Sequence, residues 1–534
     1  MFTVLGACGG GSSDTPASTA SGSGSTPPAN VTFGTDVLTY HDDVMRSGQD
    51  LTESVLTPQN VNSSSFGKLR ILAADGIVDA APLIASGLTV NGTRRNVVYV
   101  ASEHDSVYAY DADTGTLLAR VSLLASGETP SDPRGCGQVS PEIGITSTPV
   151  IDLSAGPNGT LYVVAMSKDA SGGYHQRLHA LDLVTLADRL TAVQIQASAP
   201  GNGPNSDAGT LQFDPKQYKE RAALLLANGK IYLTFASNCD IGPYNGWIMA
   251  YDESTLMQAQ VLQITPNGID GAVWDTGGMA ADSQANIYAA VGNGTFDTAL
   301  DAQGMPDQQD FGNAALKIAT GGSALTVADY FTPSNTVSES ANDVDFGSGS
   351  VMLLVDQTDT AGTVHHLLVA GGKDGNLYLL DRDDMGHYDA AADQVYQRIA
   401  VGGPLYSAPI YFNGSLYVGD SGGTLKAYAF SNAQLAATPS SQSSQTFSYP
   451  GTAPAVSAQG TANAILWAVE SAQGSPAVLY AYDPADLGQQ YYASSQAARR
   501  RDSFGTGNKF ITPVIANGKV FVGTADGVAV FGLL

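Results

Sequence analysis

One pattern recurs along most of this chain: a short apolar strand, a turn, a second strand of Tyr-Val type, another turn, and a third strand ending near Tyr-Asp. Val98-Tyr99-Val100 leads to 107–111, Leu161-Tyr162-Val163 to 178–182, and Ile231-Tyr232-Leu233 to 248–252. Five more copies centre on Tyr288, Leu368, Tyr417, Trp467 and Phe521, with third strands at 377–381, 425–428 and 479–483 among them. Most copies have a preceding strand opened by proline, as at Pro82, Pro149, Pro409, Pro454 and Pro513. Proline suits that place because a strand's first residue loses least from a missing ladder donor. Asn-Gly pairs at Asn91, Asn158, Asn228, Asn413 and Asn517 fall between first and second strands, where a tight hairpin demands positive φ.

Eight copies over about 470 residues make roughly 60 per unit, longer than a 40-to-45-residue propeller repeat and consistent with four-stranded blades bearing long loops. The expected fold is all-β: an eight-bladed β-propeller of four-stranded antiparallel blades. The last copy runs out after three strands, 513–516, 519–523 and 528–532, so an N-terminal strand near 66–72 is expected to supply the fourth and close the ring. A β-helix needs shorter, more regular coils, and a sandwich does not repeat eight times. On this reading residues 66–534 form the propeller and 33–65 a pre-propeller segment.

The formal net charge of −26 makes nucleic-acid phosphates and anionic membrane surfaces poor partners. The longest basic run, Arg499-Arg500-Arg501, reads as a solvated loop between strands. No apolar stretch approaches the roughly 18 residues that a membrane-spanning helix needs. At the amino terminus Leu5-Gly6-Ala7-Cys8 follows a short apolar start and precedes a Ser/Thr/Gly/Pro-rich stretch. These residues resemble a bacterial lipoprotein signal. The resemblance implies acylation of Cys8, with 1–8 as a remnant signal and 9–32 as a flexible tether that buries no core. No Lys or Arg precedes Cys8, so the start is expected to have lost a basic leader. Gly9 and Gly10 stand where an aspartate retains some lipoproteins at the inner membrane, so the resemblance implies a lipid-anchored envelope protein at the outer membrane. A monomer that touches the membrane only through its lipid is expected.

With Cys8 lipidated, Cys136 and Cys239 remain as an even pair, and an oxidising compartment favours a disulfide between them; two free thiols are the alternative. The bridge would close a loop of about 100 residues and, on the chain-entropy model, contribute up to about 4.7 kcal/mol. In an exported bacterial chain, N-glycosylation is a poor rival to turns at Asn91, Asn158 and Asn413.

The segment Ala109-Tyr110-Asp111-Ala112-Asp113-Thr114-Gly115 is similar to the Ala-x-Asp-x-x-Thr-Gly repeat of pyrroloquinoline-quinone propellers. Asp111 and Thr114 can hold the N–H groups of a tight turn while Gly115 supplies positive φ. Stretches 40–48, 140–146, 274–278, 291–297 and 372–382 extend the likeness to exported quinoprotein-dehydrogenase-like propellers, over nearly all of the chain after the tether. Quinoprotein dehydrogenases of this shape carry adjacent cysteines over the cofactor, a stacking tryptophan beneath it, and a calcium held by acidic and amide side chains. This sequence has no Cys-Cys, three tryptophans in all, and no blade-docking tryptophan in its repeat motif. The resemblance therefore covers the scaffold and leaves the redox site unsupported.

Other constellations are weighed against simpler roles. Gly419-Asp420-Ser421-Gly422-Gly423 looks like a protease nucleophile segment, but it aligns with 522–529 as a hairpin turn of the repeat. His175 and His179 could share a strand face, yet read as partly buried structural residues; His365 and His366 are adjacent and point to opposite faces. No metal site is expected. The most polar cluster outside the repeat is His41-Asp42-Asp43 with Arg46, which precedes the first blade and could reach the central channel. Loop residues Glu142, Asp275, Asp343, Asp345 and Lys373 are added as binding candidates because blade loops carry function on a rigid scaffold. The alternative for the N-terminal cluster is a salt-bridged cap that seats its segment.

Three functions follow. The leading one is a non-catalytic envelope lipoprotein whose propeller scaffolds a protein, peptide or glycan partner, with no cofactor. The second is an alcohol or sugar dehydrogenase using pyrroloquinoline quinone and calcium. The third is a carbohydrate-active enzyme using axial acids, which requires two carboxylates at a defined separation.

Overall fold

Each repeat becomes one antiparallel sheet of the propeller in a computed structural model that describes residue 31 and residues 33–534. The lipidation reading of Cys8, and almost all of the tether reading, lie outside the described residues. Blades 1 to 7 span 83–122, 150–194, 225–263, 280–331, 351–400, 410–446 and 455–493. Blade 8 takes three strands from 514–533 and its fourth from Phe66–Ala73, which pairs from Phe66 opposite Leu533 to Ala73 opposite Gly527. The ring is thus closed by the N-terminal strand, as expected. Arg501 of the basic run binds the closing strand, donating from Nη2 to the Phe66 carbonyl at 3.0 Å.

The turn chemistry follows the residues. Pro82, Pro149, Pro409, Pro454 and Pro513 each stand directly before the innermost strand of a blade. Asn91, Asn228, Asn413 and Asn517, each with its following glycine, take positive φ at both central positions of a two-residue hairpin. Asn158 departs from this pattern: only Gly159 has positive φ, because residues 153–159 form a longer loop. Asp111 Oδ1 accepts the N–H groups of Asp113 and Thr114, and Asp182 and Asp252 build the same turn.

Three second-strand tyrosines join one blade to the next. Tyr99, Tyr162 and Tyr417 donate their hydroxyls to the carbonyls of Leu183, Glu253 and Pro484 at 2.7, 3.0 and 2.9 Å. Each acceptor directly follows the aspartate that ends the third strand of the neighbouring blade. Tyrosine suits this place because its ring fills the inter-blade core while its polar tip finds a partner. It takes over the docking role for which the repeat lacks a tryptophan.

The segment ahead of the closing strand threads the axis and touches the innermost strand, its entry or its exit turn in all eight blades. Val37 bridges Ile84, the Ile151 N–H reaches the Leu38 carbonyl, and Arg46 reaches the Leu224 carbonyl. Ala281 and Leu353 donate to the carbonyls of Val44 and Met45. Gly48 lies against Ile410, where a Cβ would meet its Cγ2 at 2.4 Å, so only glycine fits. Gln49 and Asp50 pair in parallel with Val456 and Ser457, and Asn517 holds both backbone groups of Thr35. This segment plugs the channel.

Candidate functional site

Above the plug, the connections entering seven blades converge on a funnel of about 260 Å³. One wall is aromatic: Tyr406 and Tyr449 meet edge to face with centroids 5.0 Å apart, and Phe510 lies 6.4 Å from both Tyr406 and Trp274. Cations face these rings. The Arg221 guanidinium stands 4.9 Å from the Phe510 centroid and the Lys509 ammonium 5.8 Å, while Lys373 stands 5.9 Å from that of Trp274. The funnel is blind, because Tyr40 of the plug lines the narrow space beneath it together with Arg221 and Phe510.

The cations differ in how they are compensated. Lys373 donates to Asp343 at 2.7 Å and to Asp345 at 2.6 Å; although burial opposes it, Asp345 and Asp343 hold its ammonium above the usual lysine range. Lys219 and Arg221 form no ion pair or side-chain hydrogen bond among the described residues. Burial first, and then the positive charge of Arg221, hold Lys219 well below the usual range, against the attraction of Glu103 and Asp79. The same two causes push Lys509 down to about 8. Arg221 and Lys509, neither of them ion-paired among the described residues, stand together at the Phe510 ring and offer an anion a local partner, while the funnel lining also carries the Asp240, Asp343 and Asp345 carboxylates.

The Cys136–Cys239 disulfide is present, with Cα atoms 6.0 Å apart, and ties the connection entering blade 2 to the second-to-third-strand loop of blade 3 at the funnel rim. Asp343, Asp345 and Lys373 of the expected set come together in the funnel. Asp275 lies behind Trp274, 1% exposed, accepting the N–H groups of Gly277 and Gly278 and the Ser350 hydroxyl. Glu142 pairs with His104 at 2.9 Å and does not line the funnel. His41, Asp42, Asp43 and Arg46 belong to the plug. His41 stacks on Tyr40, and burial, with Arg46 beside it, pushes its imidazole down to about 3. Burial, reinforced by Asp50 and Asp43, holds the Asp42 carboxyl well above the usual range, and Asp43 accepts from Ser47.

Lys219, Arg221, Trp274, Tyr406, Tyr449, Lys509 and Phe510 were not singled out by sequence reasoning. Part of that signal was legible: Tyr406 and Phe510 stand three residues before an opening proline, as do Asp79 and Thr146, which line the space beneath the funnel. That position points at the axis.

The histidines considered for metal binding are held by carboxylates: His175 by Asp169 and Glu128, His179 by Asp188, His365 by Asp359 and Asp381, and His366 by Asp383 and Asp356. No group of three or more His, Cys, Asp or Glu able to hold a metal ion occurs among the described residues. Calcium does not fit at Asp343 and Asp345, because the Lys373 ammonium already lies between them. Asp420 of the protease-like segment is bound to Lys426 at 2.7 Å in a hairpin turn.

Burial pushes the Asp275 carboxyl up to about 7, against its two backbone hydrogen bonds and Arg46. With a folded value above the unfolded 3.8, its protonated form favours folding fully below about pH 4, and that stability is lost as pH rises to 7. Asp275→Asn keeps the accepting oxygen and removes the buried charge. Relative to the parent, it is expected to gain of order 3–4 kcal/mol between pH 4 and pH 8 in denaturant titrations. Parallel stability-pH profiles for the two chains would refute this.

No family model matches the chain, and no curated protein matches it. Solved structures share its fold. The quinohemoprotein alcohol dehydrogenase of Pseudomonas putida HK5 is 16% identical with a TM-score of 0.59, over 93% of this chain and 80% of that one. The quinohemoprotein alcohol dehydrogenase of Comamonas testosteroni is 14% identical with a TM-score of 0.60, over 95% and 81%. A europium-containing methanol dehydrogenase is 12% identical with a TM-score of 0.57, over 93% and 98%. At these identities the likeness is one of fold.

Proposed function

We propose that this chain is a non-catalytic binding propeller of the bacterial envelope whose axial funnel receives an anionic group carried on a flat or ring-shaped body. The observation that carries the reading is the placement of Arg221 and Lys509, neither ion-paired among the described residues, against the Phe510 ring of a blind, aromatic-walled cavity. Acidic peptides and acidic glycans present such groups, and the surrounding loops offer them a rim. The disulfide supports an exported protein, and the lipoprotein-like N-terminus supports a lipid anchor at the outer membrane.

Tryptophan quenching tests the reading. Trp247 and Trp467 are at most 1% exposed, so Trp274 is the accessible reporter. Iodide is expected to quench it about tenfold more efficiently than caesium at equal ionic strength, by local concentration of the anion. Arg221→Gln with Lys509→Gln is expected to erase that preference. Equal quenching by both ions in the parent chain would sink the proposal.

A second reading, a quinone-dependent alcohol or sugar dehydrogenase, is favoured by the same flat, cationic cavity and by the fold shared with such enzymes. Calorimetry with pyrroloquinoline quinone, with and without calcium, followed by a dye-linked assay, separates the two. Stoichiometric binding with turnover selects the enzyme.

A further inference from the structure

We propose that Lys219 is a carbonyl-capturing amine, forming an imine inside the funnel with an anionic aldehyde or ketone. The inference rests on the funnel being an anion site and adds a covalent step to it.

The geometry isolates one amine from its neighbours. Lys219 lies on the short strand Tyr218–Lys219, paired with Ser237 and Ala236 at the entry to blade 3. The strand is held rigidly: Gln176 donates to the Tyr218 carbonyl at 2.7 Å, and the Tyr218 hydroxyl accepts the Asn245 N–H at 3.3 Å. Alternation along 219–221 turns Lys219 and Arg221 into the funnel and Glu220 away from it, into the protein. The two acids that attract Lys219 form no ion pair with it, although Glu103 Oε1 is buried without a hydrogen-bond partner among the described residues. Glu103 accepts from the Gly144 N–H at 2.7 Å and the Thr146 hydroxyl at 3.1 Å, and Asp79 accepts from Asn508. Lys373 is held by two carboxylates, and Lys509, beside the funnel, donates to the side-chain amide oxygen of Gln138.

A desolvated lysine beside a second cation is a nucleophile, because it holds its free-amine form at neutral pH. Burial and the Arg221 charge act on Lys219 in this direction, while Glu103 and Asp79 oppose them. Arg221 and Lys509 would take the anionic group of the ligand, and Phe510 its flat body. The neutral Nζ adds to the carbonyl carbon. Its two protons leave with the carbonyl oxygen as water and a C=N bond replaces C=O, so the step needs no oxidant or reductant.

The test uses the full chain with pyridoxal 5′-phosphate, an anionic aromatic aldehyde, and pyridoxine 5′-phosphate, its twin without the carbonyl. The aldehyde is expected to give a visible imine band. Cyanoborohydride reduction should then fix one equivalent per chain, mapped by peptide mass to Lys219. Lys219→Arg, which keeps the charge, and Lys219→Met should each lower labelling at least tenfold while still binding the pyridoxine phosphate. If the twin binds in competition with the aldehyde but the label lands on other lysines, the imine proposal is wrong and the anion site stands. If neither compound binds, both fall.

Discussion

Phe66→Ala is expected to cost about 3–5 kcal/mol in denaturant unfolding, a large share of the stability of a single ring. Phe66 opens the closing strand and is fully buried. Its ring lies 5.5 Å from Trp467, meets Tyr492 edge to face at 5.0 Å, and stacks 6.3 Å from Phe531. It therefore welds the N-terminal strand to blade 7 and to the C-terminal strands of blade 8 together. Truncation leaves a cavity between three large aromatics that cannot collapse into it. Ile71, on the same strand but 40% exposed, provides the control: Ile71→Ala should cost under about 1 kcal/mol. Equal losses at the two positions would show that the strand contributes only its ladder hydrogen bonds, and that Phe66 is no anchor.

Arg46→Met is expected to cost a similar 3–5 kcal/mol and to loosen the floor of the funnel. The guanidinium is fully buried in the axial plug. It donates to the carbonyls of Met279, Tyr40 and Leu224 at 2.9, 3.0 and 3.2 Å and to the Thr39 hydroxyl at 2.7 Å. Methionine fills part of the volume but strands four buried acceptors. Arg46→Lys should not rescue, since one ammonium cannot reproduce a planar fork aimed at two blades and the plug's own backbone. The readouts are denaturant midpoint and the rate of protease cutting within 35–56. An unchanged midpoint with an unchanged cutting rate would mean that the plug is held by its backbone contacts alone.

Much of this molecule could be read before any coordinate was known. Eight copies of a strand-turn pattern, five opening prolines and the missing fourth strand of the last copy implied eight blades closed by an N-terminal strand. Each of those signals is local, because a hairpin's φ angles, a strand's first residue and a strand's alternation depend on neighbours a few positions away. The cysteine pair was legible by count. The blade-docking tyrosines stood in the pattern, but their acceptors, one blade further on, did not.

The funnel was beyond that reach. Gln138, Lys219, Trp274, Asp343, Tyr406, Tyr449 and Phe510 come from seven different connections, and apart from Tyr406 and Phe510, each three residues before an opening proline, no shared repeat position relates them. They meet only because a closed ring aims every connection that enters an innermost strand at one axis. The plug makes the same point in reverse. His41, Asp42, Asp43 and Arg46 read as a polar cluster near the channel, and their composition cannot say whether such a cluster opens a site or seals one. Contacts with every blade, at the innermost strand or at its ends, decide it: closing the ring sets the channel's width, and that width determines which segment lies buried within it and which cations remain without partners above it.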